Sequence, residues 1–457
     1  MQVFNRHISP RGLTVFAFEL VLIAGSVLYA MHLHGGVDTP GAIGKVFFIT
    51  ALCQLSFYYH DLYDLTVVNS RRELLVRLLQ ASGAASLLLA ALYVIFPRLI
   101  IGHGVLASSV LFFVVAIVVW RLVFLQVGRA RGLQEHVLIV GTSAGARTVA
   151  REVLDQHDYA YRIVGFIDDD PAMLGQSILN PKVIGTTADI VRLVREQRVN
   201  RIIVGLADRR GKLPIDQLLE AKLQGVRIEE PETTYERLTG KIMLGELKPS
   251  WLIFSDGFRA RKLTRGAKRV VDVVLSVAGM ILAAPIMALT AIAVRLDTPG
   301  PAVYAQERVG EHGRTFMVYK FRSMRTDAER GGTPIWARDK DDRITRVGRI
   351  IRLMRLDETP QLWNVLRGDM SFVGPRPERP FFVEQLAKAI PFYPQRHAVK
   401  PGVTGWAQVR YRYGASIEDA REKLRYDLYY IKHMSIIFDL TIVFDTVKVI
   451  LLRKGAQ

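Results

Sequence analysis

The sequence predicts a multi-domain membrane protein: a four-helix transmembrane bundle, a Rossmann-like α/β domain, and an α-rich monotopic domain with a re-entrant membrane helix. Three observations predict it. Four apolar segments lie within the first 130 residues, strands alternate with helices in the middle of the chain, and a fifth apolar segment has basic residues on both sides. The predicted boundaries are 1–130 for the bundle, 131–230 for the α/β domain, 231–262 for a linker and 263–457 for the last domain.

The composition limits the class of protein further. Lysine and arginine number 61 against 43 acidic residues, which gives a net charge of +18. Such a charge favours acidic partners: nucleic acid, anionic lipid or phosphorylated substrates. Half of the residues are hydrophobic, which excludes a disordered chain. Cys53 is the only cysteine and excludes an internal disulfide framework.

Each of the four apolar segments approaches the ~20 residues that a spanning helix needs. They lie at about 13–31, 42–58, 79–96 and 105–127. Arginines cluster before the first segment, between the second and third, and after the fourth: Arg6, Arg11, Arg71, Arg72, Arg77, Arg129 and Arg131. The positive-inside rule therefore places both ends of the bundle in the cytoplasm. Within the apolar segments, Glu19 is expected to pair inside the bundle and Arg121 to extend to the cytoplasmic interface.

The middle of the chain has the alternating pattern of a parallel sheet with helical crossovers. A buried strand at 136–141 leads into a loop in which Ser143 replaces the second glycine of the dinucleotide-binding fingerprint. Asp168 follows at about the ~20-residue distance expected of an acidic ribose ligand. Two interpretations remain, a nucleotide- or sugar-nucleotide-sensing module and a structural or dimerising domain that has lost its ligand. We favour the structural domain, because a fold alone does not determine function.

The fifth apolar segment, 270–294, is interrupted by Pro285. Proline inside a helix removes a hydrogen bond and bends the axis. Lys268 and Arg269 precede the segment and Arg295 follows it, a pattern that disfavours crossing the membrane. We therefore predict a helix that enters the cytoplasmic leaflet, breaks near Pro285 and returns; the alternative is a kinked fifth span.

Several motifs in the last domain combine cations with glycine or proline, a combination that suits phosphate oxygens. They are Gln306-Glu-Arg-Val-Gly310, Tyr319-Lys-Phe-Arg-Ser-Met324, Gly368-Asp-Met-Ser-Phe-Val-Gly-Pro-Arg-Pro377, Lys400-Pro-Gly-Val-Thr-Gly-Trp-Ala-Gln408 and Tyr426-Asp-Leu-Tyr-Tyr430. Nucleic-acid binding is disfavoured, because the domain is tethered to a bilayer and has no recognisable reading module.

Two adjacent carboxylates, Asp357 and Glu358, lie within this basic region. Such a pair can divide the work of phosphoryl transfer: an aspartate can attack phosphorus, and its neighbour can hold Mg²⁺ beside substrate phosphates. Taken alone, the pair is also compatible with an ordinary negative charge at a helix N-terminus.

With these motifs in this order, the chain from about Lys268 to Leu452 resembles the bacterial sugar transferase family, the monotopic polyprenyl-phosphate phosphoglycosyl transferases. The whole architecture resembles the large four-span members, the exopolysaccharide-initiating undecaprenyl-phosphate sugar phosphotransferases. The resemblance implies that Asp357 is the nucleophile and that Glu358 takes part in Mg²⁺ binding. It implies substrate-binding roles for residues that match family positions: Lys320, Arg322, Arg352, Arg376, Tyr426 and Asp427. Pro285 matches the break of the re-entrant helix, although Ala284 stands where the family often has serine.

The function that the resemblance implies is transfer of a sugar-1-phosphate from a nucleoside diphosphate sugar, such as a UDP-hexose, to undecaprenyl phosphate. The expected setting is the cytoplasmic face of the bacterial inner membrane, with a homodimer as the expected assembly. Two alternatives remain, a non-catalytic membrane scaffold or sensor and a nucleotide-sugar-modifying enzyme built on the Rossmann-like domain. The latter needs a Tyr-x-x-x-Lys pair, but the residue four positions after Tyr235 is Thr239. The sequence leaves the sugar open.

Overall fold

The structure is a computed structural model that describes residues 10–34, 41–63, 71–101, 104–128, 134–155, 161–206, 213–245, 255, 257–258, 262–328, 341–411, 414 and 416–451. The chain divides after Leu238 into two compact units. Of the charges used to predict topology, Arg6, Arg129 and Arg131 lie outside the described residues, as does the stretch 246–254 of the predicted linker.

The first unit begins with four long helices, α1 (Pro10–Leu33), α2 (Ala42–Tyr59), α3 (Arg71–Ile95) and α4 (Val105–Gly128). They share one apolar core, to which Ile23, Phe57 and Phe113 belong. Each helix is long and apolar enough to cross a membrane, by length and composition. Helix α3 begins eight residues before the predicted segment, because four charged residues interrupt its first two turns and lower their hydropathy.

A buried ion pair joins the first and last of these helices. Arg121 Nε donates to Glu19 Oε1 at 2.5 Å, and Arg121 Nη2 donates to the Leu62 carbonyl at 2.8 Å. Glu19 is fully buried and Arg121 is only 3 % exposed. The expectation that Arg121 extends to the interface is therefore wrong: its charge is satisfied inside the bundle, and Glu19 pairs there as predicted.

The α/β domain follows with β1 (Glu135–Val140), α5 (Ala144–Asp155), β2 (Tyr161–Ile167), β3 (Val183–Gly185), α6 (Ile190–Glu196), β4 (Arg201–Val204), α7 (Ile215–Leu223), β5 (Arg227–Glu229) and α8 (Pro231–Thr239). All strand pairs are parallel, in the order β3-β2-β1-β4-β5. This confirms the predicted parallel sheet. Strands β3 and β5 were not predicted, because three residues are too few to show a period. Helix α8 occupies the first residues of the predicted linker.

The second unit contains α9 (Lys262–Asp297), β6 (Val303–Val309), β7 (Thr315–Phe321), α10 (Arg346–Leu353), α11 (Gln361–Arg367), β8 (Ser371–Val373), α12 (Pro380–Ala389), β9 (Gly402–Thr404), α13 (Trp406–Arg410), α14 (Ile417–Lys432) and α15 (Ile436–Leu451). Strands β6 and β7 form an antiparallel hairpin, and β8 pairs with β9 in parallel. The largest core of this unit gathers Leu424, Tyr430 and Phe438 around Trp406.

Helix α9 contains Pro285, where the sequence predicts a break, but it remains a single helical element through that proline. At about 1.5 Å per residue its 36 residues extend ~54 Å, well beyond a ~30 Å hydrocarbon core. Both ends of α9 contact other residues of the second unit. Near its start, Arg269 donates to the Val365 and Leu366 carbonyls at 2.5 and 2.6 Å. At its end, Asp297 accepts from the Val347 N–H at 3.1 Å.

Candidate active site

The two adjacent carboxylates lie in a tight turn between two helices. Thr345 begins α10 by accepting a hydrogen bond from the Gly348 N–H at 2.9 Å. After the helix, Arg355 adopts a left-handed conformation with φ of +57°, which is unfavourable for a residue with a Cβ. A 3₁₀ turn, Leu356–Glu358, follows directly. The strained backbone at Arg355 thus leads directly into the short turn that places Asp357 and Glu358 before α11.

Glu358 is held between two cations. Arg376 Nη2 donates to Glu358 Oε1 at 2.7 Å, and Lys320 Nζ donates to the same oxygen at 3.2 Å. Burial alone acts to raise the pKa of Glu358, but the charges of Arg376 and Lys320 outweigh it and hold that pKa well below the ordinary glutamate value. Glu358 is therefore ionised and fixed in position.

Asp357 has the opposite electrostatic environment. Burial raises its pKa above the ordinary aspartate value, and the negative charge of Glu358 adds to the rise. Nearby Lys320 and Arg352 oppose that rise only in part. The Oδ1 atom of Asp357 is buried without a hydrogen-bond partner. Two neighbouring carboxylates whose pKa values are pushed apart are typical of groups with different chemical roles.

Lys320 reaches this pair from β7, where it lies opposite Tyr304 of β6. Asn364 of α11 fixes the strand: its side chain accepts from the Tyr319 N–H at 3.1 Å and donates to the Met317 carbonyl at 2.7 Å. Burial lowers the pKa of Lys320, and the attraction of Glu358 offsets this only in part.

Two other predicted phosphate ligands have different environments. Arg352, in the last turn of α10, has a buried Nη1 atom without a hydrogen-bond partner, and its charge acts on Asp357. It remains a candidate anion ligand. Arg322 instead donates to the carbonyls of Thr298 and Pro299 at 2.6 and 2.8 Å. These Nη1 and Nη2 donors cap the end of α9, so in this structure Arg322 holds that helix end, while its buried Nε atom has no hydrogen-bond partner among the described residues.

Tyr426 and Asp427, which were also predicted as site residues, each have a partner outside the carboxylate turn, which is the 3₁₀ turn Leu356–Glu358 that carries the two acids. Tyr426 lies under the Lys241 ammonium group, 5.1 Å from the ring centroid. Asp427 is buried, and its Oδ2 atom accepts hydrogen bonds from both Nε and Nη2 of Arg396, at 3.0 and 2.8 Å. Sequence reasoning missed the buried Arg396, because neither its spacing nor its sequence neighbours distinguish it from the arginines of the surface.

The carboxylate turn also bears on the expected Mg²⁺. Among the described residues there is no group of three or more His, Cys, Asp or Glu side chains that could hold a metal ion. Mg²⁺ nevertheless commonly takes only one or two carboxylates from a protein, with substrate phosphates and water completing its shell. The adjacent carboxylates and the unpartnered Asp357 Oδ1 fit that mode of binding.

In the α/β domain, the groups that would receive a nucleotide are already engaged. Thr142 Oγ1 donates to Asp168 Oδ2 at 2.7 Å, and the Asp170 N–H donates to Asp168 Oδ1 at 3.1 Å. Ser143 uses its hydroxyl to accept from the Ala146 N–H at 3.2 Å. The carboxylate expected to bind a ribose is thus satisfied within the protein.

Comparison with known proteins identifies the second unit. Residues 263–453 match the family described as bacterial sugar transferase, and residues 59–221 match a CoA-binding domain. A UDP-N-acetylgalactosamine-undecaprenyl-phosphate N-acetylgalactosaminephosphotransferase of Aeromonas hydrophila is 44 % identical over 222 residues, 49 % of this chain and 52 % of that protein. An undecaprenyl-phosphate glucose phosphotransferase of Komagataeibacter xylinus is 33 % identical over 326 residues, 70 % of this chain and 59 % of that protein.

The exopolysaccharide production protein PSS of Rhizobium leguminosarum bv. phaseoli is 41 % identical over 188 residues, which cover 39 % of this chain and 92 % of that protein. The chain belongs to the bacterial sugar transferase family. It spans about half the length of the first two relatives, 52 % and 59 %. For CoA, the engaged side chains of Thr142, Ser143 and Asp168 do not fit a bound nucleotide at the usual edge of the sheet.

Proposed function

We propose that this protein transfers a sugar-1-phosphate from a nucleoside diphosphate sugar, such as a UDP-hexose, to undecaprenyl phosphate, and so initiates the repeat unit of an exopolysaccharide or O-antigen. The observation that carries the proposal is the contrast between the two carboxylates. Glu358 is ionised and held by Lys320 and Arg376, whereas the buried Asp357 Oδ1 has no partner. Of the two carboxylates, Asp357 is therefore the one that we assign as the nucleophile.

The reaction proceeds in two displacements at phosphorus. In the first, a carboxylate oxygen of Asp357 attacks the β-phosphorus, the bridging phosphoanhydride bond breaks, and the nucleoside monophosphate leaves with the bond electrons. The product is a sugar-1-phosphoryl aspartate. In the second, an oxygen of undecaprenyl phosphate attacks the same phosphorus and releases the Asp357 carboxylate. The sugar C1–O bond is never broken, so the anomeric configuration is retained.

The cations around the turn stabilise negative charge on the phosphoryl oxygens. Lys320 and Arg376 flank Glu358, and Arg352 offers a buried guanidinium nitrogen without a partner. Such fixed charges, arranged before the reaction, lower the barrier without reorganisation. Glu358 would hold Mg²⁺ together with substrate phosphates, and the bound ion would supply Lewis-acid neutralisation of the diphosphate.

The same unit explains how a lipid and a soluble nucleotide sugar share one site. The middle of α9 exposes large apolar side chains, including Ile281, Leu282 and Leu289, while both helix ends contact the unit. A helix that crossed the bilayer would need part of this polar unit inside the membrane. We therefore propose that α9 bends at Pro285 and returns to the cytoplasmic face of the inner membrane. The four-helix bundle provides further anchoring, and a homodimer is the assembly we propose.

The test is release of nucleoside monophosphate from UDP-sugars in detergent, followed by movement of radiolabelled sugar into organic-soluble lipid. Asp357→Asn should lower both by about a thousandfold or more, because an amide is a poor nucleophile at phosphorus. Asp216→Asn, at an exposed position of α7, is the matched control and should keep full activity. Unchanged release by Asp357→Asn would overturn the assignment.

A further inference from the structure

The segment that carries Arg376 is held by its backbone. Residues Pro375–Glu378 have four consecutive carbonyl oxygens, and each accepts a hydrogen bond from a different residue. Two donors are backbone groups: the Gly402 N–H donates to the Pro375 carbonyl and the Val309 N–H to the Glu378 carbonyl, both at 2.9 Å. Two are arginine side chains: Arg396 Nη2 donates to the Arg376 carbonyl at 3.0 Å, and Arg308 Nη1 donates to the Pro377 carbonyl at 3.2 Å. The two prolines also restrict the backbone. Few other arrangements remain for this segment.

Arg396 is the donor to the Arg376 carbonyl, and it is itself fixed. Asp427 binds its Nε and Nη2 atoms, and the Tyr393 hydroxyl accepts from Nη1 at 2.9 Å. Arg396 is 5 % exposed and Asp427 is 2 % exposed. A planar guanidinium can serve a carboxylate and a carbonyl at once, which the single ammonium group of lysine cannot do in the same geometry.

The contacts therefore form a continuous series. Asp427 fixes Arg396, Arg396 fixes the backbone of Arg376, and the Arg376 side chain donates to Glu358 Oε1 at 2.7 Å. Glu358 is covalently adjacent to Asp357. We propose that Arg396 is a positioning residue for sugar-phosphate transfer; this inference rests on the proposed function. Asp427 holds Arg396 in place, and Arg396 acts by holding Arg376.

This role differs from a contribution to folding alone. If Arg396 acts through Arg376, its replacement matters only while the Arg376 side chain is present, and the two substitutions are strongly non-additive. If Arg396 merely stabilises the core, its replacement lowers activity by the same factor in both backgrounds. Arg396→Lys is the suitable variant, because it keeps a positive charge beside Asp427 while losing the two-sided contact.

The experiment is a double-mutant cycle of Arg396→Lys and Arg376→Ala, timed by single-turnover transfer of radiolabelled sugar phosphate with enzyme in excess. Arg396→Lys should slow the step by about tenfold or more in the parent enzyme, as expected for a misplaced catalytic group. In the Arg376→Ala background it should have little further effect. Arg425→Lys, on α14 but bonded to Glu422 and the Ile242 carbonyl, is the control whose effect should be additive.

Equal losses in the two backgrounds would overturn the proposal. Hydrogen exchange measured by mass spectrometry gives a second readout that needs no activity: Arg396→Lys should raise exchange at residues 374–379 and leave other peptides of the unit unchanged. A rise throughout the unit would also refute it. If Arg396→Lys fails to fold, Asp427→Asn takes its place in both experiments. Failure of Asp357→Asn to abolish transfer would overturn the proposed function, whereas an additive cycle in an enzyme dependent on Asp357 would overturn only the role of Arg396.

Discussion

At the scale of single residues, the pKa of Asp357 connects the structure to a measurable pH dependence. Burial and the adjacent Glu358 raise this pKa above the ordinary value of 3.8. Attack on phosphorus requires the ionised carboxylate, so protonation removes the nucleophile. The rate of nucleoside monophosphate release should therefore fall as the pH decreases through the raised pKa, at a pH above that of an ordinary aspartate.

Glu358→Gln tests whether Glu358 raises the pKa of Asp357. It removes a negative neighbour of Asp357 and frees Lys320 and Arg376 from their shared partner, and both changes favour ionised Asp357. The acidic limb of the kcat/KM profile for nucleoside monophosphate release should move to lower pH, while the maximal rate decreases. A limb that stays in place or moves to higher pH would show that Glu358 does not repel the charge on Asp357.

The residues of the site differ in how far the sequence could predict them. Lys320, Arg376 and the carboxylate pair lie in motifs, and the structure brings them together. Arg322 lies in the same motif as Lys320, but a motif does not distinguish an arginine that binds phosphate from one that caps a helix. Arg396 could not be found at all, because its partner Asp427 is 31 residues away and only the fold joins them.

At the scale of elements, length and composition predicted the apolar helices and three strands of the α/β domain, but not the hairpin of β6 and β7, whose seven-residue strands lie in a domain expected to be α-rich. The three-residue strands β3 and β5 are too short to show an apolar period, and charged residues interrupt the start of α3. Charges within apolar runs were recognised as unusual, yet the sequence contains no signal that pairs Glu19 with Arg121 across 102 residues. Contacts between residues far apart in the sequence determine the short strands and the ion pair.

Helix α9 gives a prediction at this scale. In a Cys53→Ser background, single cysteines placed at Leu263 and Leu296, near its two ends, should react with a membrane-impermeant maleimide from the same side. Both leucines are exposed in the structure. Both should label in inverted vesicles and neither in spheroplasts, matching a reference cysteine at Asp216. Labelling of one end from each side would establish a fifth span and exclude the re-entrant helix.

At the scale of the whole molecule, the division after Leu238 separates the candidate active site from the first unit. The carboxylate turn, its cations and the contacts of Arg396 all lie in the second unit. The proposal for the first unit is support of membrane anchoring and assembly. The engaged side chains around Asp168 agree with a structural α/β domain.

A chain that begins at Thr239 should therefore retain transfer to undecaprenyl phosphate within about tenfold of the full-length rate, equivalent to less than about 1.4 kcal/mol of activation free energy. The measurement is transfer of radiolabel into lipid by both chains at equal concentration in the same detergent. Circular dichroism and size-exclusion profiles provide the control for folding. A folded fragment without activity would mean that the first unit contributes directly to catalysis.

The central claim is that Asp357 becomes covalently bonded to a sugar phosphate. Its most direct test is mass spectrometry of the enzyme after incubation with a UDP-sugar and Mg²⁺ in the absence of undecaprenyl phosphate, with rapid acid quenching. We expect a mass increase equal to one sugar phosphate on the peptide that contains Asp357, which disappears when undecaprenyl phosphate is added before the quench. Release of nucleoside monophosphate without any such adduct, or an adduct on a different residue, would contradict the account.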